Sequence, residues 1–217
     1  MESPFCDAQR DGTRLIETFG YQPEQGIARL ELHLARLKRS AGALGFVCDL
    51  EAVRAAVAAS GGDAALRCRL TLGAGGDVEV TTAELPTGAG RWVFRIAEER
   101  LESGDPYLRH KTTRRAVYDR WRSRLPEGVH EWVFLNERGE VCEGTITNVV
   151  VTMPDGARLT PPVASGCLPG VYRESLLAAG AVREAVLSVA DLRAAKRVVL
   201  TNSLRGEILA VWDEVKS

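Results

Sequence analysis

Val141-Cys142-Glu143-Gly144-Thr145-Ile146-Thr147-Asn148-Val149-Val150-Val151-Thr152 is the stretch on which the reading of this chain turns. Its β-branched residues predict a strand over Val141–Thr152. Yet Glu143 puts a carboxylate among apolar and small neighbours, where a charge is costly unless it has a partner. Two readings are open: an acid that serves a ligand, or an acid on the wet face of an edge strand. Upstream, Asn136-Glu137-Arg138-Gly139 has turn chemistry and joins this run to a strand over Glu131–Leu135. Downstream, Pro154-Asp155-Gly156 turns the chain into Arg158–Thr160, predicted to pair with it. Arg197–Thr201 and Glu207–Trp212 read as further strands.

Towards the N-terminus the period changes. Arg14 to Phe19 reads as a short strand. Leu30, Leu34, Leu37, Ala41 and Leu44 then make one apolar helix face, with Gly45 as its stop. Asp49 is placed to cap a second helix through Val53, Ala56 and Val57, ended by Gly61-Gly62. Ala65–Leu72 and Val78–Ala83 alternate across a glycine-rich link and predict a hairpin. Arg91–Ala97 predicts another strand, and Thr112–Leu125 a helix. Val171–Ala179 predicts a helix stopped by Gly180, and Ser188 starts another with Asp191 at the capping-box position. Helices and strands fall in partly separate blocks. The fold class expected is α+β in two lobes: a small α+β lobe over residues 1–85 and a larger β-rich lobe over 86–217. The Gly88-Ala89-Gly90 stretch is too short to be a flexible linker.

The chain has 217 residues, of which 45% are hydrophobic, enough for a real core. Its 28 basic and 29 acidic residues leave a net charge of -1 with no block of one sign, which argues against nucleic acid or a membrane surface as partner. No apolar run approaches the roughly 18 residues of a membrane helix, and the N-terminus does not read as a signal peptide. Cys6, Cys48, Cys68, Cys142 and Cys167 are odd in number and far apart, so they read as reduced thiols of a cytoplasmic protein. His33, His110 and His130 lack metal-site spacing, so no metal is expected.

Four further groups bear on chemistry. Lys111 lies in Arg109-His110-Lys111-Thr112-Thr113-Arg114-Arg115. A lysine nucleophile needs a depressed pKa, which neighbouring positive charge can supply; the alternative is a solvated basic patch. Gly166-Cys167-Leu168-Pro169-Gly170-Val171-Tyr172-Arg173 runs into a helix start, where backbone N–H groups and the helix dipole favour a phosphate. Thr201-Asn202-Ser203 ends a strand with hydroxyls. Arg36, beside the apolar stripe of the first helix, is either a bidentate phosphate partner or a surface arginine paired with Glu31 or another carboxylate. An amine, an acid, a helix-start phosphate cradle and a hydroxyl-rich turn are the parts a pyridoxal 5'-phosphate site needs.

Seven phrases, in order, resemble the fold-type IV pyridoxal phosphate enzymes, the class IV aminotransferase family. They are Leu15-Ile16-Glu17-Thr18, His33-Leu34-Ala35-Arg36-Leu37, His110-Lys111-Thr112-Thr113, Asn136-Glu137-Arg138-Gly139-Glu140, Glu143-Gly144-Thr145-Ile146-Thr147-Asn148, Leu168-Pro169-Gly170-Val171-Tyr172-Arg173 and Asn202-Ser203-Leu204-Arg205-Gly206. Within the family the chain is most similar to the branch that eliminates pyruvate from 4-amino-4-deoxychorismate to give 4-aminobenzoate for folate synthesis. That branch includes the version fused behind a chorismate-amidating synthase.

The resemblance implies roles. Lys111 would carry the cofactor covalently and then shuttle a proton, and Glu143 would bind the pyridine nitrogen. Arg36, Ser203 and the backbone N–H groups of Val171 and Tyr172 would hold the phosphate. Leu168 would pack on the ring and Asn148 would stand behind it. Thr18, Leu204 and Arg205 would line the substrate side. It also implies a homodimer with a functional link to a chorismate-amidating synthase. Two rivals share the motifs: a branched-chain or D-amino acid aminotransferase, and a non-catalytic partner of the synthase. The chain departs from the family pattern in having thirteen residues before its first strand, fewer than is usual, and in Arg114, where many relatives have Asn.

Overall fold

In the computed structural model, Phe5, Ala8 and residues 11–86 and 90–214 are described. Cys6 and the Gly88-Ala89 part of the glycine stretch lie outside the described residues. The fold is α+β, with a small sheet-and-helix unit and a larger β-rich one. The first unit holds residues up to 86 together with His110–Arg114; the second holds residues 90–109 and 115–214.

The first unit is a four-stranded antiparallel sheet with two helices. Its elements are β1 (Leu15–Gln22), β2 (Gly26–Ile27), α1 (Leu30–Leu44), α2 (Leu50–Ala59), β3 (Leu66–Leu72) and β4 (Val78–Glu84), in sheet order β2-β1-β3-β4. The β1 strand outruns the expected Arg14–Phe19, because Leu15 to Tyr21 pair continuously with Leu72 to Leu66. Leu34, Leu37, Ala41 and Leu44 are buried along α1, and Gly45 ends it in the left-handed conformation at φ 71°. The Asp49 side chain caps α2, accepting from the Glu51 and Ala52 N–H groups. The expected β3–β4 hairpin is present.

The segment His110–Arg114 belongs with this unit although its chain neighbours do not. Ile16 N donates to Lys111 O at 2.8 Å and Thr113 N to Arg14 O at 2.9 Å, and Leu15 and Thr112 form a bridge. This corrects the helix expected over Thr112–Leu125. Thr112 and Thr113 are spent on extended pairing with β1, so helix begins only at Ala116, giving α3 (Ala116–Arg122).

The second unit contains β5 (Trp92–Leu101), α3, β6 (Glu131–Asn136), β7 (Val141–Gly144), β8 (Asn148–Thr152), β9 (Arg158–Thr160), α4 (Val171–Ala178), β10 (Arg183–Glu184), α5 (Val189–Ala194), β11 (Arg197–Asn202) and β12 (Gly206–Trp212). Its sheet order is β10-β9-β8-β11-β12-β5-β6-β7, and β7 pairs also with β8. That extra pairing closes six of the eight strands into a ring and removes the edge at β7. Inside packs a core that includes Phe94, Val133, Leu135, Val149, Val151, Leu200 and Ile208. The Ser188–Asp191 capping box at α5 is as expected.

The single strand expected over Val141–Thr152 is broken at residues 145–147. The reason is Glu131, fully buried on β6. Its carboxylate accepts from Thr145 N at 3.0 Å, Ile146 N at 3.2 Å and Thr147 Oγ1 at 3.0 Å, and from the Thr145 hydroxyl. A distant acid thus satisfies the turn donors and overrides the strand propensity of three β-branched residues. Gly144 is required for space: a Cβ there would lie 2.3 Å from Thr147 Oγ1 and 2.8 Å from Glu131 Cδ.

Candidate active site

The first unit holds Lys111, Thr18 and Arg36. Lys111 is partly buried, its carbonyl tied to β1. The basic residues around it are engaged: His110 Nδ1 lies 2.9 Å from Ser40 Oγ and Arg114 pairs with Asp11. Thr18 follows Glu17 on β1 and is partly buried. Arg36 is not the surface arginine that pairs with Glu31, since Glu31 is taken by Arg54 at 2.7 Å. Instead Arg36 is 4% exposed and its guanidinium grips Glu17, with Nε–Oε1 at 2.8 Å and a second N–H to Oε2 at 2.6 Å. His33, three residues earlier on α1, places Nδ1 2.6 Å from Glu17 Oε2. Burial raises the Glu17 carboxyl, but Arg36 and His33 outweigh it and hold it down at about 2. Burial pushes His33 down, against the pull of Glu17. The two hydrogen bonds fix the orientation of the Arg36 fork.

The second unit gathers Glu143, Asn148, Leu168, Val171, Tyr172, Ser203, Leu204 and Arg205. Glu143 is buried and pairs across the ring closure with Asn148, so it is not on a wet edge. Tyr118 Oη donates to its Oε1 at 2.7 Å and Leu168 N to its Oε2 at 3.0 Å. Asn148 Nδ2 donates back to Leu168 O at 2.9 Å. The Leu168 backbone therefore binds both facing residues of the β7–β8 pair, through its N–H and its carbonyl. Gly170 is fixed by this arrangement, because a Cβ there would fall 1.9 Å from Asn148 Oδ1.

Helix α4 starts at Val171, with Gly170 as its N-cap and no side chain capping it. First-turn N–H groups of a helix favour an anion. The Ser203–Arg205 turn is held by Asn202, whose Oδ1 accepts from Leu204 N at 3.1 Å and Arg205 N at 2.9 Å. Asn202 Nδ2 reaches Ile146 O at 3.3 Å. A Cβ on Gly206 would come within 3.6 Å of the Tyr172 ring, so the turn lies beside the start of α4. Arg205 spreads its guanidinium over the Trp92 ring at 5.4 Å. The fully buried Thr201 hydroxyl, one residue before Asn202, has no hydrogen-bond partner among the described residues.

The groups of the second unit fit pyridoxal phosphate: a buried carboxylate suits a pyridinium N–H, and a helix start and a hydroxyl turn suit a phosphate. Sequence reasoning missed Glu17, His33, Tyr118 and Glu131. Glu17 and His33 sat inside the quoted motifs, and their signal was two titratable residues beside Leu15-Ile16 and the α1 stripe. Tyr118 and Glu131 gave no local signal.

A profile of the amino-transferase class IV family matches residues 14–210. Aminodeoxychorismate lyase of Saccharomyces cerevisiae is 31% identical over 133 residues, 53% of this chain and 35% of that protein, so the match spans about a third of that relative's length. A Schizosaccharomyces pombe protein, provisionally named aminodeoxychorismate lyase, is 30% identical over 206 residues, covering 89% of this chain and 87% of that one. A crystal structure from Mesorhizobium loti, provisionally named an amino-acid aminotransferase, superposes with a TM-score of 0.89 at 41% identity, over 92% of this chain and 99% of that one. With its β1, Glu143 and α4 segments all inside the matched span, this chain belongs to the class IV aminotransferase family of pyridoxal phosphate enzymes.

Proposed function

We propose that this protein is a 4-amino-4-deoxychorismate lyase that releases pyruvate and leaves 4-aminobenzoate. The observation that carries the chemistry is the buried Glu143 carboxylate, oriented by Tyr118 and the Leu168 N–H. The choice of substrate is supported by the likeness to the two fungal relatives, one along most of its length.

Pyridoxal phosphate, when bound, supplies an aldehyde that bonds to an amine and a ring that takes up the electrons left behind. In this reading Glu143 keeps the ring nitrogen protonated. Arg36, Ser203 and the Val171 and Tyr172 N–H groups would hold the phosphate, with Leu168 and Asn148 on the ring side. Lys111 would hold the cofactor's aldehyde and would take the proton from the amine-bearing carbon of the substrate. The bond between the substrate's ring carbon and the enolpyruvyl oxygen would then break, the leaving enolate would take up a proton on its methylene carbon to become pyruvate, and formation of an aromatic ring would make the step irreversible. Arg205 pairs with a substrate carboxylate, with Thr18 and Leu204 lining that side. A cytoplasmic homodimer supplied by a chorismate-amidating synthase completes the proposal.

The likeness to the Mesorhizobium loti protein favours a second reading, transfer of an amino group to a 2-oxo acid. The two share every step up to proton removal. Incubation with enzymatically made aminodeoxychorismate decides: 4-aminobenzoate and pyruvate in equal amounts support the lyase. No release, together with amino transfer from an amino acid to a 2-oxo acid, overturns it in favour of the aminotransferase.

A further inference from the structure

We propose that Tyr118 is a positioning residue for Glu143, fixing the carboxylate to which a pyridine ring nitrogen is presented. This rests on the cofactor reading above and adds a residue to it. The two oxygens of Glu143 are held from two different elements: Oε1 by the Tyr118 hydroxyl of α3 at 2.7 Å, and Oε2 by the Leu168 N–H ahead of α4 at 3.0 Å. Two donors on two oxygens fix both the place of a carboxylate and the rotation of its plane.

Tyr118 is itself held firmly. Its ring meets Phe134 edge-on at 5.4 Å, and the Arg115 guanidinium covers it at 5.5 Å. Arg115 also donates to Thr145 O at 2.9 Å, and Arg122 to Thr145 Oγ1 at 3.1 Å. Helix α3 therefore grips the β7–β8 turn at both ends of its short length while Tyr118 reaches Glu143 from its middle. Burial, then the Glu143 charge, pushes the phenol well above its ordinary value. The hydroxyl stays protonated at working pH and is always the donor.

The test compares two ligands on the whole protein: pyridoxal phosphate and its 1-deaza analogue, which has carbon in place of the ring nitrogen. Equilibrium binding gives the ratio of the two affinities. Tyr118→Phe removes one oxygen atom and keeps the edge-on ring pair. It lowers the affinity for pyridoxal phosphate about tenfold, the scale of one hydrogen bond to a charged group, and leaves the analogue unchanged, so the ratio falls about tenfold. Phe134→Leu loosens the ring packing but keeps the hydroxyl; it lowers Tm and preserves the ratio. Equal losses for both ligands in Tyr118→Phe, an unchanged ratio, or an equal fall of the ratio in Phe134→Leu each overturn the role of Tyr118. A wild-type protein that binds both ligands equally overturns the Glu143 reading and this one with it, and a wild-type protein that binds neither overturns the cofactor reading.

Discussion

Two buried carboxylates, one in each unit, are stabilised in opposite ways. Glu17, on β1, is 2% exposed and faces the Arg36 guanidinium and His33; its carboxyl is held down at about 2. Glu131, on β6, is fully buried and surrounded by neutral donors from Thr145, Ile146 and Thr147, with the Arg122 guanidinium at 3.7 Å; burial dominates and raises its carboxyl. Burial alone does not decide the state of an acid; the charge of its partners does. Glu17 keeps a cation fixed inside the protein, whereas Glu131 shapes a turn. Glu143 lies two residues before that turn, and its named partners, the Tyr118 hydroxyl and the Leu168 N–H, are neutral.

The comparison breaks first at Glu17. Glu17→Ala strands a buried guanidinium, and we expect a loss of about 3–5 kcal/mol in urea unfolding. A loss under about 1 kcal/mol would mean that Arg36 is not committed to Glu17. Glu131→Ala removes hydrogen bonds from neutral donors and one long contact with the partly exposed Arg122, so we expect about 1–3 kcal/mol. It should also speed amide hydrogen exchange at Thr145 and Ile146 more than at Val150 in the ring core. Uniform exchange across those sites would deny Glu131 its hold on the turn.

The pH dependence sharpens the same contrast. The folded value of Glu17 lies below its ordinary 4.5, so its stabilisation is fully present above about pH 4.5 and is lost as pH falls towards about 2. Glu131 lies above its ordinary 4.5, so the folded state takes up its proton first and gains stability relative to the unfolded chain as pH falls. Glu131→Gln removes that gain, and its stability should fall more steeply than wild type as pH falls towards about 4.5. A shallower fall would reverse the sign assigned to Glu131. The smallest effect expected is at a surface cap: Asp49→Ala should cost about 1 kcal/mol in the same unfolding experiment.

Much of this was legible in the sequence wherever the determinants are local. The α1 stripe and Gly45, the Asp49 cap, the β3–β4 hairpin and the Ser188–Asp191 box each sit within one element and its flanks. What failed depends on partners far along the chain. The break at Thr145–Thr147 is made by Glu131, fourteen residues away from Thr145 at its nearest bond. The extended state of Thr112 and Thr113 is made by β1, about a hundred residues away. Arg36 was legible as a candidate, but its carboxylate partner was not, because Glu17 meets it only when β1 packs on α1. Tyr118 was invisible for the same reason: a tyrosine in an exposed-looking helix shows nothing of the acid it reaches.

Lys111 is the residue proposed to carry the cofactor. The most direct test of this role is borohydride reduction of the protein with bound pyridoxal phosphate, followed by proteolysis and mass spectrometry of the peptides. This account expects the reduced cofactor on the peptide containing Lys111, and no adduct in Lys111→Ala with the fold intact. An adduct on another lysine, or an unmodified Lys111 peptide from a protein that has bound the cofactor, would contradict it.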